Sequence, residues 1–376
     1  MTELREGNLC EEIDPEISWS EKDLPQRERT KHVHGIHPYL GKYIPQLVEI
    51  FLKRYFAPGD IVYDPFCGSG TTLVEANVFG AVGIGCDISS FNCQLARVKT
   101  SVHDRERLRS GLEEVLKFGI EKAESGWVES QASQWLLEWY APRALTELLG
   151  YRDSARKLER DIREVAEIVL SRAARSARLT THFDLDFPRE PIRRPYLCHK
   201  HKRMCTPVEE AAKFLRRYTL DSLRRFEEYE AVNAGLRSFV FHDDARYIEL
   251  AEQPTGVITS PPYPGLIDYH EQHRYAYELL NLVDRSPDEI GSAETGRSRV
   301  AMSSYSDAMV EVFANTRQYL PSGSPVIIVV NDSLDLYSGI ISQSELKIEQ
   351  KLTRHVNRRT GRRAKPFFES VIVCRV

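Results

Sequence analysis

The segment from Ile61 to Asp87 constrains the fold of this chain more than any other stretch. It begins with IVYDPF, an apolar run that predicts a buried strand, and continues through the glycine turn CGSG. TTLVEANVF then predicts a helix that is closed by Gly80, and AVGIGCDI predicts a second buried strand. Together these elements indicate a βαβ unit with a glycine turn at the carboxyl end of its first strand.

The rest of the chain places two blocks of strand-like sequence around a long helical stretch. IPQLVEIFLKRYF predicts a helix whose first turn contains Pro45, and residues 100–234 are mostly charged, amphipathic helical sequence. Strand-like runs return in SFVFHDDA, TGVITSPPY and PVIIVVNDS, and we expect ELKIEQKL and FFESVIVCRV to form an antiparallel pair at a sheet edge. The sequence therefore predicts an α/β, Rossmann-like fold with a mostly parallel sheet and an antiparallel C-terminal edge strand. Residues 1–100 and 236–376 form the sheet domain of this prediction, and residues 101–235 a mainly helical inserted domain.

Composition places the chain among globular intracellular proteins. It has 376 residues, 41% of them hydrophobic and 28% charged, which is enough for one large core and a smaller lobe. No apolar run approaches the roughly 18 residues of a membrane span, and the start MTELREGNLCEEIDPE is too acidic for a signal peptide. We therefore expect a cytoplasmic protein with no membrane contact. Seven cysteines, an odd number without a regular framework, indicate reduced thiols.

The glycine turn, Asp64-Pro-Phe-Cys-Gly-Ser-Gly70, predicts a nucleoside cofactor. Glycines let a ligand approach the backbone, and the following helix offers free N–H groups. Asp87 ends the next strand, where a carboxylate can accept hydrogen bonds from both hydroxyls of a ribose. The lysine of a phosphate-binding loop is absent, which favours S-adenosylmethionine over ATP.

A second constellation, Thr259-Ser-Pro-Pro-Tyr263, closes the strand-like run GVIT. The two prolines stiffen the backbone, remove two N–H donors and leave carbonyls free to accept hydrogen bonds, which suits an amino group. Tyr263 follows directly, and an aromatic ring at this position can stack on a nucleic-acid base.

At these residues the chain resembles the DNA amino-methyltransferases, which modify cytosine N4 or adenine N6. DPFCGSGTT is similar to the family's cofactor motif, SPPY to its catalytic motif, and HPYLGKYIPQLVEIF to the segment beside the methionine end of the cofactor. The resemblance implies that S-adenosylmethionine is held by Tyr39, Lys42, Asp64, Pro65, Phe66, Gly68, Gly70, Thr71, Asp87, Ile88 and Asp244. It assigns catalysis to Ser260, Pro261, Pro262 and Tyr263, with direct methyl transfer to a flipped base.

A serine at the first position of the catalytic motif is associated in this family with cytosine N4, so Ser260 favours that target. Adenine N6, an RNA base, or a non-catalytic role in nucleic-acid binding remain alternatives. A cytosine C5 enzyme needs a nucleophilic Pro-Cys pair, which this sequence lacks. The resemblance also raises the expectation of a cognate restriction endonuclease as partner, while the sequence gives no oligomeric state.

Double-stranded DNA is the expected macromolecular partner, although the net charge is −4. Positive charge is concentrated in two runs, REPIRRPYLCHKHKR from Arg189 and KLTRHVNRRTGRRAK from Lys351. The candidate phosphate contacts are Arg193, Arg194, Lys200, Lys202, Arg203, Arg354, Arg358, Arg359, Arg362 and Arg363. The order of motifs along this chain differs from the orders known in the family, so the position of the target-recognition region cannot be transferred from the family. By elimination, the helical insert and residues 264–318 are the candidates.

The run from Cys198 to Cys205 could also ligate zinc, through Cys198, His199 or His201, and Cys205. Its spacing matches no standard zinc pattern and a second cysteine pair is missing. We therefore predict a basic, DNA-contacting loop here and no metal.

Overall fold

The computed structural model describes residues 14–41, 43–124, 132–182, 184–185, 188–265, 268–292, 296–356 and 367–376. Its strands are β1 Ile61–Asp64, β2 Val82–Asp87, β3 Tyr196–Cys198, β4 Arg203–Cys205, β5 Phe239–His242, β6 Gly256–Thr259, β7 Pro325–Val330, β8 Lys347–Val356 and β9 Phe367–Arg375. Its α-helices are α1 Gln26–Arg29, α2 Pro45–Tyr55, α3 Thr71–Phe79, α4 Ser90–Thr100, α5 Arg105–Glu124, α6 Gln134–Trp139, α7 Pro142–Ala155, α8 Arg160–Ala177, α9 Ala212–Glu230, α10 Tyr269–Gln272, α11 Arg274–Leu280, α12 Arg299–Gln318 and α13 Tyr337–Gln343.

Seven strands form one sheet in the order β5-β2-β1-β6-β7-β9-β8. The pairs from β5 to β7 are all parallel, whereas β9 runs antiparallel to both β7 and β8. The predicted α/β sheet and its antiparallel pair are confirmed, with the C-terminal strand β9 lying second from the edge. Chain order reverses between β1 and β6, and a crevice at the carboxyl ends of such neighbouring strands is where open α/β sheets bind ligands.

The predicted βαβ unit is present at its expected position. Strands β1 and β2 pair in parallel through Ile61 and Val82, and α3 connects them. This helix ends at Gly80, whose φ of 91° lies in the left-handed region that favours glycine. Pro45 occupies the first turn of α2, where its missing N–H is not needed for the helix.

Helices cover both faces of the sheet, as the continuous apolar sequence of its central strands requires. Alternate residues of β7 enter different clusters because successive side chains of a strand point to opposite faces. Val326 and Ile328 pack with Phe313 of α12, and Ile327 packs with Phe51 of α2. The central strands are thus shielded from water on both sides.

The described helices of residues 101–235 share a hydrophobic cluster with the sheet domain. Leu112 of α5, Leu148 of α7 and Val169 of α8 belong to the same cluster as Phe91 and Leu95 of α4. Along α8 the buried positions recur at helical spacing and form a stripe that faces this cluster. The helical segment therefore packs directly on a helix of the sheet domain.

Two further observations bear on the sequence analysis. The described cysteines, Cys67, Cys86, Cys93, Cys198, Cys205 and Cys374, are all free thiols. Within the described ranges, every helix is too short or too polar to cross a membrane.

Candidate active site

A cleft opens at the carboxyl ends of β1, β2, β5 and β6, with a volume of about 840 Å³ including its solvent-open mouth. Ten residues predicted from the sequence line it: Tyr39, Pro65, Phe66, Gly68, Thr71, Asp87, Ile88, Asp244, Ser260 and Pro262. The two motifs, which are far apart in sequence, therefore share one cavity.

The glycine turn folds back over the end of β2. Gly68 has a φ of 47°, and its N–H donates to Asp87 Oδ2 at 2.9 Å. A Cβ on Gly68 would lie 2.9 Å from the hydroxyl oxygen of Tyr39, so only glycine fits between the turn and this ring. Gly70 does not line the cleft. Its φ is 77°, and it lies against Ala96 of α4 at the start of α3.

Asp87 is held by three protein donors and has its carboxylate at the cleft wall. Oδ1 accepts the Ser89 N–H at 2.8 Å and the Asn92 amide at 3.1 Å, in addition to the Gly68 contact at Oδ2. Burial raises the pKa of Asp87 to about 6, and these hydrogen bonds oppose the shift. The carboxylate is thus oriented in advance for hydroxyl donors.

Asn92 is a site residue that the sequence analysis missed. Its side-chain amide donates to both Asp87 and the Tyr39 hydroxyl, the latter at 3.1 Å, and so connects two walls of the cleft. A single asparagine in the first turn of a helix carries no signal of this role. Only its position after Asp87, at the N-terminus of α4, could have indicated it.

Asp64 lies beneath the cleft and does not line it. It is 1% exposed, and its oxygens accept hydrogen bonds from the Thr72 hydroxyl at 2.7 Å, the Thr259 hydroxyl at 2.7 Å and the Phe66 N–H at 3.1 Å. The prediction that Asp64 contacts the cofactor is therefore corrected: its lone pairs are occupied by the protein. It is a positioning residue that joins the glycine turn to the end of β6.

The catalytic loop from Ser260 to Tyr263 lies between two cavities. Ser260 and Pro262 face the large cleft, whereas Tyr263 lines a second, much smaller cavity. The Tyr305 hydroxyl donates to the Pro262 carbonyl at 3.0 Å, and the described residues make no hydrogen bond to the carbonyl of Pro261. The two side chains thus border different cavities, while their hydroxyl groups lie within hydrogen-bonding reach of each other.

Tyr263 is largely buried, and its hydroxyl donates to Glu369 Oε1 at 2.8 Å. Burial raises the pKa of Tyr263 well above its usual range, and the neighbouring Glu369 carboxylate adds to the shift. The phenol therefore stays protonated and acts as a donor that fixes the plane of the ring.

Two acidic residues of the cleft lining, Asp288 and Glu289, were not anticipated from the sequence. Glu289 accepts the N–H of His270 at Oε1, at 3.1 Å, while its Oε2 is buried without a partner among the described residues. Asp243, Asp288 and Tyr269 also line the cleft. Asp244 forms a 2.6 Å ion pair with Arg246 at the same end of β5.

Arg354 corrects another prediction. It is 3% exposed, lies 3.5 Å from Glu369 and packs over the ring of Trp19, so its charge is not available to a phosphate. Its place on β8, opposite Glu369 of β9, accounts for this burial. Lys42, Arg358, Arg359, Arg362 and Arg363 lie outside the described residues.

The other predicted phosphate contacts are exposed. Strands β3 and β4 form a two-stranded hairpin in which Lys200, Lys202 and Arg203 face solvent, and Arg193 and Arg194 are exposed just before it. We call residues 196–205 the basic hairpin. Its exposed cations do not line the cleft.

The residues that line the cleft include donors, acceptors and apolar groups that fit S-adenosylmethionine. Asp87 could accept hydrogen bonds from ribose hydroxyls, the turn at Gly68 could let a ligand approach the backbone closely, and Phe66 and Ile88 could pack against an adenine ring. Glu289 Oε2, which has no partner among the described residues, could accept a cationic amino group. A sheet of this strand order with such a cleft defines an S-adenosylmethionine-dependent methyltransferase.

Comparison with known proteins agrees with this class. A family model described as DNA methylase matches residues 8–98. The type II methyltransferase M.MjaII of Methanocaldococcus jannaschii is 36% identical over 429 aligned positions, which cover 93% of this chain and 81% of that protein. The chain belongs to the DNA amino-methyltransferase family, whose members methylate cytosine N4 or adenine N6.

Two other relatives match shorter stretches. The type II methyltransferase M.MvaI of Kocuria varians is 32% identical over 90 residues, which cover 23% of this chain and 20% of that protein. A tRNA (guanine(10)-N2)-dimethyltransferase of Methanocaldococcus jannaschii is 37% identical over 82 residues, covering 22% of this chain and 21% of that protein.

Proposed function

We propose that this enzyme transfers the methyl group of S-adenosylmethionine to the exocyclic N4 amino group of cytosine in double-stranded DNA. The observation that carries the proposal is the position of the catalytic loop at the wall of the large cleft. Ser260 and Pro262 face this cleft, so a base amine held at the loop would meet the methyl group of a cofactor bound there.

Ser260 and Pro261 prepare the amino group for transfer. The lone pair of a base amine is delocalised into the ring, so the nitrogen becomes nucleophilic only when acceptors hold its hydrogens and favour a pyramidal geometry. The Ser260 hydroxyl faces the cleft, and the Pro261 carbonyl is free of hydrogen bonds from the described residues. When bound, the cofactor supplies an electrophilic sulfonium methyl, and the two acceptors position the amine for direct attack.

The base reaches this loop only after it leaves the duplex. Tyr263 has its hydroxyl fixed by Glu369, which presents the ring for stacking on an extruded base. The serine at the head of the loop, Ser260, favours cytosine over adenine, because a serine at this position of the motif is associated in the family with cytosine N4.

DNA contacts come from outside the cleft in this proposal. The exposed Lys200, Lys202 and Arg203 of the basic hairpin neutralise backbone phosphates, together with Arg193 and Arg194. The helical residues 101–235 then serve as the recognition region, and residues 264–318 complete the surface beside the base. The relatives' designation as type II methyltransferases supports a cognate endonuclease as partner.

The test is to incubate the purified enzyme with unmethylated genomic DNA and isotopically labelled S-adenosylmethionine, digest the DNA to nucleosides and identify the product by mass spectrometry. We expect N4-methylcytosine. N6-methyladenine would overturn the choice of base, and label found only in a parallel tRNA sample would overturn DNA as substrate. A Ser260→Ala variant that still binds the cofactor is the matched control for contaminating activity.

A further inference from the structure

Four potential metal ligands converge at the base of the basic hairpin. They are His182, Cys198, His201 and Cys205, and one ligand atom from each lies within 4.8 Å of all the others. His182 follows α8 in sequence, whereas the other three belong to the hairpin. The cluster lies outside both cavities of the active site.

The distances between these atoms match the edges of a zinc coordination tetrahedron. Sγ of Cys198 lies 3.7 Å from Nδ1 of His182 and 3.7 Å from Nδ1 of His201, and Sγ of Cys205 lies 3.5 Å from Nδ1 of His201. Zinc binds sulfur at about 2.3 Å and nitrogen at about 2.0–2.1 Å, so a sulfur and a nitrogen on one tetrahedral ion are about 3.5 Å apart. The side chains already have the separation that the metal requires.

The hairpin also lacks the packing that would hold it together without a metal. Each strand has only three residues, and the opposed side chains Leu197 and Met204 are 62% and 60% exposed. A short two-stranded hairpin with its apolar side chains in water is marginally stable by itself. Small elements without a core are commonly held by disulfides or by a structural metal, and Cys198 and Cys205 are free thiols.

The turn of the hairpin brings the ligands together. The Lys202 N–H donates to the Cys198 carbonyl at 2.8 Å, and Lys202 has a φ of 52°, in the left-handed region. This tight turn folds His201 back towards both cysteines.

We propose that these four side chains bind one Zn²⁺ ion in a closed, structural site that fixes the basic hairpin to the segment after α8. Two cysteine sulfurs and two imidazoles in tetrahedral arrangement are a ligand set that selects zinc. Each cysteine releases its proton to solvent as its sulfur–zinc bond forms, so the two thiolates balance the charge of the ion. The Tyr196 hydroxyl lies 2.9 Å from His182 Nδ1, and either this hydroxyl moves aside or the imidazole turns about Cβ–Cγ when the metal binds.

The sequence alone could not assign this site. The run Cys198 to Cys205 provides three ligands in an irregular spacing, and the fourth, His182, is separated from it by an irregular segment that contains Pro188, Pro191 and Pro195. The prediction of no metal is replaced by this proposal, which leaves the basic side chains of the same hairpin free for DNA.

The experiment measures the metal content of the full chain, expressed without a histidine tag, by inductively coupled plasma mass spectrometry. We expect one zinc ion per chain, and less than a fifth of that amount in His182→Asn and Cys198→Ser. The matched control is His199→Asn, because His199 is exposed in the same turn but is not in the cluster, and it should retain the full amount. S-adenosylmethionine affinity, read in parallel, reports whether each variant remains folded.

A second measurement does not depend on the metal acquired in the cell. Chain stripped of metal by a chelator and titrated with Co²⁺ should develop the strong visible absorption of a tetrahedral cobalt–thiolate centre, and His182→Asn should lose it. The proposal is overturned if wild-type chain neither contains zinc nor takes up Co²⁺, or if His182→Asn binds as much metal as wild type. A Cys198–Cys205 disulfide found in the purified chain, as a loss of two titratable thiols, would also overturn it.

Discussion

Replacement of Asp87 by alanine should weaken S-adenosylmethionine binding about a hundredfold. The Asp87 carboxylate is fixed by the N–H groups of Gly68 and Ser89 and lines the cleft, where we expect it to bind the ribose. Hydrogen bonds to a charged group contribute about 1.5–3 kcal/mol each, so two ribose hydroxyls give about 3–6 kcal/mol. In the variant, water can enter the space left by the carboxylate and bind the ribose hydroxyls, which offsets part of this binding free energy. We therefore use the lower value of about 3 kcal/mol, which corresponds to a roughly hundredfold rise in Kd.

The pH dependence provides an independent check on the same residue. Because burial raises the pKa of Asp87 to about 6, wild-type affinity should fall about tenfold between pH 7 and pH 5, where most of this carboxyl is protonated. Ribose hydroxyls stabilise the ionised form, so binding and proton release are linked. The folding stability of the cofactor-free protein depends on pH in the opposite direction. Because the pKa of Asp87 is raised in the folded state, its contribution to the free energy of unfolding is present at low pH and is lost as the pH rises from about 4 through 6.

The assay is isothermal titration calorimetry with S-adenosylmethionine at several pH values, on wild type, Asp87→Ala and Glu113→Ala. Glu113 is an exposed carboxylate of α5 outside the cleft and controls for the change in net charge. DNA affinity of Asp87→Ala, measured separately, should stay within about twofold of wild type. A Kd within threefold of wild type, or an unchanged pH dependence in Asp87→Ala, would refute the assignment of the ribose to this carboxylate.

Three further predictions concern the catalytic loop, the glycine turn and the basic hairpin. Ser260→Ala should lower single-turnover methyl transfer about a hundredfold, because an acceptor of the amine is lost, and a parallel rise in cofactor Kd would contradict this role. Gly70→Ala should cost about 2–4 kcal/mol of unfolding free energy in urea, since its φ is 77° and its Cβ would lie 2.9 Å from a side chain of α4. Gly59→Ala is the control, because Gly59 has a φ of 92° but open space around it. It should lose only about 1 kcal/mol of unfolding free energy, from backbone strain, and an equal loss in the two variants would refute the packing argument. A triple variant should reduce the slope of log Kd for DNA against log salt by about two to three in fluorescence anisotropy, since each lost phosphate contact removes about 0.9, and an unchanged slope would mean that the hairpin faces solvent. Its substitutions are Lys200→Gln, Lys202→Gln and Arg203→Gln.

Local sequence patterns were sufficient to predict the sheet and most of the cleft. The strand, glycine turn and helix from Ile61 to Phe79 follow from short-range periodicity and backbone preference, and the structure has them at the expected residues. Asp87 and Ser260 follow from their positions at the ends of two strands, because parallel strands bring their carboxyl ends to one edge.

Residues whose roles depend on distant partners were not predictable in this way. Arg354 belongs to a basic run, yet pairing with a carboxylate on the neighbouring strand removes it from the surface. His182 joins the cysteines of the basic hairpin only through the path of the intervening chain. Asn92 and Glu289 enter the cleft from positions where polar residues are common and carry no recognisable pattern.

The bond between Asp64 and Thr259 has a consequence for how such an enzyme can be assembled. These two residues are 195 positions apart, yet the 2.7 Å hydrogen bond between their side chains joins the glycine turn directly to the catalytic loop. Because this junction does not depend on chain continuity, the length of the intervening polypeptide is free to change, and so is the order in which a gene encodes the two halves. A large helical segment can therefore occupy this interval without disturbing the alignment of methyl donor and acceptor. The same junction would survive a circular permutation that moved the chain ends into that interval.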